Sequence, residues 1–118
     1  MPTSFGCYVR RRREALRQQD PAYSVRRVAR RIGVEPSYLS KVERDEEAPP
    51  SEEKIVRLAR DLGEDADVML AMAGKLPSDL KRTILARPEL FSLLIRQLKN
   101  APDRAVLKVV REVRDGRW

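Results

Sequence analysis

Residues 24–44 read SVRRVARRIGVEPSYLSKVER, and no other stretch constrains this chain as tightly. Val25, Val28, Ala29 and Ile32 fall at the i, i+3, i+4, i+7 spacing of one helix face. Ser24 precedes them as a capping residue. Gly33 follows at once, where a left-handed residue ends a helix. Pro36 then suits the first position of a new helix, and Leu39 with Val42 gives that helix its inner stripe. The spacing therefore predicts two short helices joined by a turn of a few residues. Gly33 supplies the positive φ for the turn. Ala29 is small where the second helix must cross, and Val34 and Leu39 plug the angle between the two.

The rest of the chain carries the same helical spacing, and nothing in it reads as a strand. A first helix is expected over residues 4–18, with Phe5, Val9 and Leu16 on one stripe, Ala15 beside it, and Thr3 or Ser4 as cap. Gln19-Asp20-Pro21-Ala22 interrupts the pattern. The third helix is expected over about 36–44. An acidic, Pro-rich loop, 45–50, leads to a fourth helix capped by Ser51, with Ile55, Leu58, Ala59 and Leu62 inward. Glu52 and Glu53 sit in its first turn, where the helix dipole favours them. A short fifth helix is expected over 66–73, capped by Asp65 and stopped by Gly74. Three more follow at 77–86, 88–99 and 102–115, each opened by a proline. The expected class is all-α: a five-helix domain over 4–74 and a helical segment over 75–118.

Charge narrows the function. The 118 residues hold 25 Lys and Arg against 18 Asp and Glu, a formal net charge of +7. Residues 1–34 carry nine arginines against Glu14 and Asp20, so this third holds as much positive charge as the whole molecule. A polyanionic partner follows, although charge alone does not separate DNA, RNA and acidic membrane. The chain has no His, which removes the commonest general base and metal ligand. A single cysteine, Cys7, allows no intramolecular disulfide and no Cys-rich zinc site. No apolar run approaches a membrane span, and the N-terminus turns to Arg10-Arg11-Arg12-Arg13 without an apolar leader. These features predict a cytoplasmic binding protein with no metal, no cofactor and no enzymatic activity. The four consecutive arginines point in nearly all directions around a helix, so they form no single stripe.

Two short helices at a steep angle make a rigid wedge whose second member can enter a major groove about 12 Å wide. At this point the chain resembles the Xre/Cro family of helix-turn-helix regulators, with the lambda-repressor-like fold. The residues that carry the resemblance are Phe5, Val9 and Arg13, then Val28-Ala29 and Ile32-Gly33-Val34. They continue as Pro36-Ser37-Tyr38-Leu39-Ser40-Lys41-Val42-Glu43, then Pro50-Ser51, Leu58-Ala59 and Leu62. The resemblance implies that the third helix recognises double-stranded DNA. It places Glu35, Pro36, Ser37, Ser40 and Lys41 against bases or groove walls. It places Ser24, Arg26, Tyr38, Arg44, Ser51 and Lys54 near phosphates, with the helix N-termini adding free N–H donors. Tyr38 also admits a packing role between helices. The resemblance further implies a structural ion pair between Arg13 and Glu43.

Three departures from the family pattern stand out. Val25 replaces a Gln that clamps a phosphate, so that contact is lost or passes to Arg26. The connection from Gln18 to Tyr23 is longer than usual. Asp45 stands where the family has Gly, and Glu46 and Glu47 follow it. An acidic loop near DNA points away or lowers affinity.

The C-terminal segment lies outside the resemblance. Leu90, Phe91, Leu94, Ile95 and Leu98 form one apolar stripe, and Val106, Val109, Val110 and Val113 another. About 40 residues do not support an independent core. The stripes are expected to meet a second copy of the chain, giving a homodimer. The alternatives are completion of a monomer core or docking of a different protein partner. The leading expectation is a homodimeric repressor that reads a palindromic operator. The other is an antitoxin-like or adaptor module that binds DNA while its C-terminal helices hold a partner protein.

Overall fold

The computed structural model describes residues 3–116 and 118, and among these every regular element is helical. The elements are α1 (Phe5–Arg17), a 3-10 turn (Pro21–Tyr23), α2 (Val25–Ile32), α3 (Pro36–Glu43), α4 (Glu52–Leu62), α5 (Ala66–Met72), α6 (Ser78–Ala86), α7 (Pro88–Leu98) and α8 (Asp103–Arg114). Each expected helix is present, with ends differing by a residue or two. No described helix is long and apolar enough to cross a membrane. The chain divides into two compact units, one ending at Pro77 and one running from Ser78 to Trp118.

The caps of the first unit are those the side chains dictate. Ser4 accepts from Cys7 N at 3.1 Å and so caps α1. Ser24, Ser51 and Asp65 cap α2, α4 and α5 in the same way. Gly33 closes α2 at φ 81°, and Val34 N donates back to Ala29 O at 2.9 Å. The extra length between α1 and α2 forms the 3-10 turn, capped by Asp20, which accepts from Ala22 N at 2.9 Å.

The core of this unit draws on each of α1 to α5. Phe5 and Val9 come from α1; Val28, Ala29 and Ile32 from α2; Leu39 and Val42 from α3. Ile55, Leu58, Ala59 and Leu62 come from α4, and Met69 and Leu70 from α5. All are buried. Each large side chain removed from water in this way contributes about 1.5–3 kcal/mol relative to exposure.

At Gly6, α1 crosses close against the end of α3. A Cβ built there would stand 2.1 Å from Val42 O and 3.1 Å from Glu43 O. The C-terminal end of α3 therefore lies directly against α1, at a distance only glycine permits.

The second unit is different. None of its helices α6, α7 and α8 contains a fully buried residue among those described. Leu90, Leu94, Ile95, Val110 and Val113 are exposed, as are Leu80, Leu85, Leu93 and Leu107. Phe91, Leu98, Val106 and Val109 are half-buried.

Candidate nucleic-acid interface

The α2–turn–α3 wedge is held from beneath by one buried ion pair. Arg13 and Glu43 are 2% and 5% exposed, the charged side chains buried in the core among the described residues. Arg13 Nε donates to Glu43 Oε2 at 2.7 Å and Nη2 donates to Oε1 at 2.8 Å, a two-pronged fork. Nη1 donates to Tyr23 O at 3.1 Å, and Nη2 also reaches Glu14 Oε1 at 3.0 Å. One guanidinium thus joins α1, α3 and the turn before α2. Burial works against the charged form of Arg13, but the bonds from Glu43, reinforced by Glu14, outweigh it and raise its pKa. Glu14 in turn is held below the usual carboxylate range by Arg17 and, against the opposing effect of burial, by Arg13.

On this platform α3 turns its outer face to solvent. Glu35, Ser37 and Lys41 are exposed, while Pro36 and Ser40 are half-buried. Glu35 precedes the helix and makes no side-chain cap bond, so its carboxylate is available on that surface. Tyr38 is half-buried and packs on the core, and its hydroxyl donates to Ala48 O at 3.1 Å. Burial, with Glu47 adding to it, pushes the Tyr38 phenol up.

The phosphate candidates fall at helix starts and on the flank of α3. Ser24 and Ser51 accept from Arg27 N and Lys54 N, at 3.3 and 3.4 Å. A hydroxyl that accepts in this way keeps its own hydrogen to donate. Arg26 is exposed. Lys54 reaches from the start of α4 to the Gly33 turn: a Cβ at Gly33 would stand 2.8 Å from Lys54 Nζ. The ammonium therefore covers the turn at the carbonyl end of α2, where the dipole favours a cation. Arg44 donates through Nη1 to Ser40 Oγ and through Nη2 to Glu46 Oε2 at 3.0 Å. Glu46 raises the pKa of Arg44, and Arg44 holds the Glu46 carboxyl below its ordinary range.

The acidic loop is built in rather than loosely appended. Asp45 takes φ 61°, the left-handed conformation that Gly would supply and that Asp tolerates better than most residues. Glu46 N then donates to Lys41 O at 2.8 Å and Asp45 N to Val42 O at 3.1 Å, closing α3 with the double bond pattern of a Schellman motif. Ser4 Oγ donates to Asp45 Oδ2 at 2.9 Å, which turns that carboxylate toward the start of α1.

Several contacts carried no signal in one-dimensional spacing. Tyr8 donates to Glu64 Oε2 at 2.9 Å, and Arg12 pairs with the same carboxylate. Arg31 forms a fork with Asp61 at 2.6 and 2.9 Å and lies over the Tyr23 ring at 5.1 Å. Of the four consecutive arginines, Arg12 and Arg13 thus turn to carboxylates, while Arg10 and Arg11 are exposed and Arg11 donates to Cys7 Sγ. Cys7 is exposed as a free thiol. No group of His, Cys, Asp and Glu among the described residues has the arrangement of a metal site.

A family model described as a helix-turn-helix domain matches residues 4–72, more than half of the chain. This chain belongs to the helix-turn-helix domain family. Neither a curated protein nor a solved structure matches it. The matched region contains α1 to α5 and all the candidate DNA-contacting residues. The helix-turn-helix is α2, the Gly33 turn and α3, and it marks the chain as a DNA-binding regulator.

Proposed function

We propose that this helix-turn-helix chain is a homodimeric repressor that reads a palindromic operator with α3 in the major groove. The observation that carries the reading is the outer face of α3, exposed and polar, held rigid from below by the buried Arg13–Glu43 fork. Ser37, Ser40 and Lys41 read base edges there, with Glu35 and Pro36 at the groove wall. Ser24, Arg26, Arg44, Ser51 and Lys54 hold the backbone. Tyr38 packs its ring over a sugar, since its hydroxyl is taken by Ala48. The apolar faces of α7 and α8, centred on Leu90, Phe91, Leu94, Ile95, Leu98, Val106, Val109, Val110 and Val113, join two copies. Two recognition helices then stand about one DNA turn apart, roughly 34 Å.

Selection of bound DNA from a random pool tests this reading. A two-fold symmetric site with half-sites about one turn apart is the expected product. A single unrepeated half-site, together with a monomer mass by light scattering, would sink the dimer.

Lys41→Ala is expected to weaken the selected site by about 1–3 kcal/mol and to spare random DNA. Arg44→Ala is expected to weaken both alike and to make log K fall less steeply with log salt, by about 0.9. Competition binding between selected and random duplexes distinguishes the two. Equal loss on both duplexes for Lys41→Ala would remove it from base recognition.

A further inference from the structure

α1, α2 and α3 enclose a cleft of about 210 Å³ lined by Arg10, Arg13, Glu14, Val25, Ser40, Glu43 and Arg44. Its charges do not cancel. Arg13 and Glu43 satisfy each other, and Glu14 is bound by Arg13 and by Arg17 at 3.2 Å. Arg10 has no ion-pair partner among the described residues, and Arg44 pairs with the Glu46 carboxylate while also donating to Ser40 Oγ. That leaves two guanidinium groups lining one opening beside the exposed face of α3, with Val25 contributing no polar side-chain atom.

We propose that Arg10 and Arg44 form a two-arginine clamp for one DNA backbone phosphate, and that Glu46 competes with that phosphate for Arg44 in the free protein. The inference rests on the DNA-binding reading and deepens it by assigning Arg10. Arg10 projects from α1, which the helix-turn-helix itself does not include.

The chemistry of exchange is simple. The Glu46 carboxylate accepts from Arg44 Nη2, as a phosphate oxygen would. The pair is solvent-exposed on both sides, at 47% and 54%, so it is weak and readily exchanged. A phosphate between two guanidinium groups gains two charge-assisted donors where the carboxylate has one. Glu14 at the far wall is a carboxylate in the same cleft, and its pairing with Arg13 and Arg17 limits its repulsion of the phosphate. Glu46 thus lowers affinity for every sequence equally, because the contact it guards carries no base information.

The test uses the full chain and a random-sequence 30-base-pair duplex, read by fluorescence anisotropy over a range of KCl concentrations. Arg10→Gln should weaken binding by about five- to ten-fold and make the salt slope shallower by about 0.9. Arg11→Gln, which removes the same charge outside the cleft, should weaken it by less than about two-fold. Glu46→Gln should tighten binding roughly three-fold. The double variant Arg10→Gln/Arg44→Gln should lose less than the product of the two single losses, since both hold one phosphate. Equal effects of Arg10→Gln and Arg11→Gln would reduce the result to net charge and overturn the clamp. So would unchanged affinity in Glu46→Gln, or simple multiplication in the double variant. A wild-type chain that fails to bind the duplex at low salt would overturn the clamp and the DNA-binding reading together. Binding by wild type with an indifferent Arg10→Gln overturns the clamp alone.

Discussion

Arg13→Ala is expected to destabilise the first unit by about 3–5 kcal/mol, because it strands Glu43 as a buried, unpaired carboxylate. The loss is large against the total stability of a small domain, about 5–15 kcal/mol. It also releases Tyr23 O, so the turn before α2 loosens with α3. Arg13→Lys should recover only part of the loss. An ammonium cannot span both Glu43 oxygens and reach Tyr23 as the planar fork does. The double variant Arg13→Met/Glu43→Met should lie much closer to wild type in urea unfolding, since no orphaned charge remains. Its DNA affinity reports separately whether the pair is needed to aim α3. A cost below 1 kcal/mol for Arg13→Ala would contradict the buried geometry. A double variant no more stable than the single would show that the pair contributes more than it costs to desolvate.

Gly6→Ala is expected to lower the melting temperature by roughly 10–20 °C, from an overpacking cost of about 2–3 kcal/mol. The direction is diagnostic. In a helix with open surroundings the same substitution stabilises by roughly 1 kcal/mol. Here the added methyl meets Val42 O at 2.1 Å and Asp45 Oδ1 at 2.7 Å. The carboxylate can swing aside, but the carbonyl belongs to the end of α3 and cannot move without the helix. The strain therefore falls on the element that reads DNA, and affinity should fall along with stability. Thermal melting by circular dichroism checks the first effect. A melting temperature at or above wild type would mean that α1 and α3 do not cross this closely.

The helices of this chain were legible because their apolar spacing, caps and stops all agree. Ser24, Gly33 and Pro36 mark α2 and α3 without help from the rest of the molecule. The Arg13–Glu43 pair was legible only through family resemblance, since thirty residues of sequence separate two charges that nothing local connects. Asp45 looked like a loss of the expected Gly. In the structure it adopts the left-handed conformation itself and binds Ser4. Lys54 is another case: it stands at the start of α4, and its ammonium reaches over Gly33. A side chain with four rotatable bonds is directed by whatever lies near it in space, which spacing along the chain does not record.

Gly6 makes the division clearest. Nothing in its neighbours separates it from a tolerated helix glycine, and its necessity appears only when the carbonyl of Val42 is brought against it. The sequence by itself determined the all-helical class, the helix-turn-helix and the surplus of arginine in residues 1–34. Those follow from local propensity, periodicity and summed charge. The tertiary structure alone decided which arginines are engaged and which remain open. Arg12, Arg13 and Arg31 turn to carboxylates, while Arg10 lines the same cleft as Arg44. The physical reason is that an ion pair depends on distance in space, and adjacent arginines on a helix face directions about 100° apart.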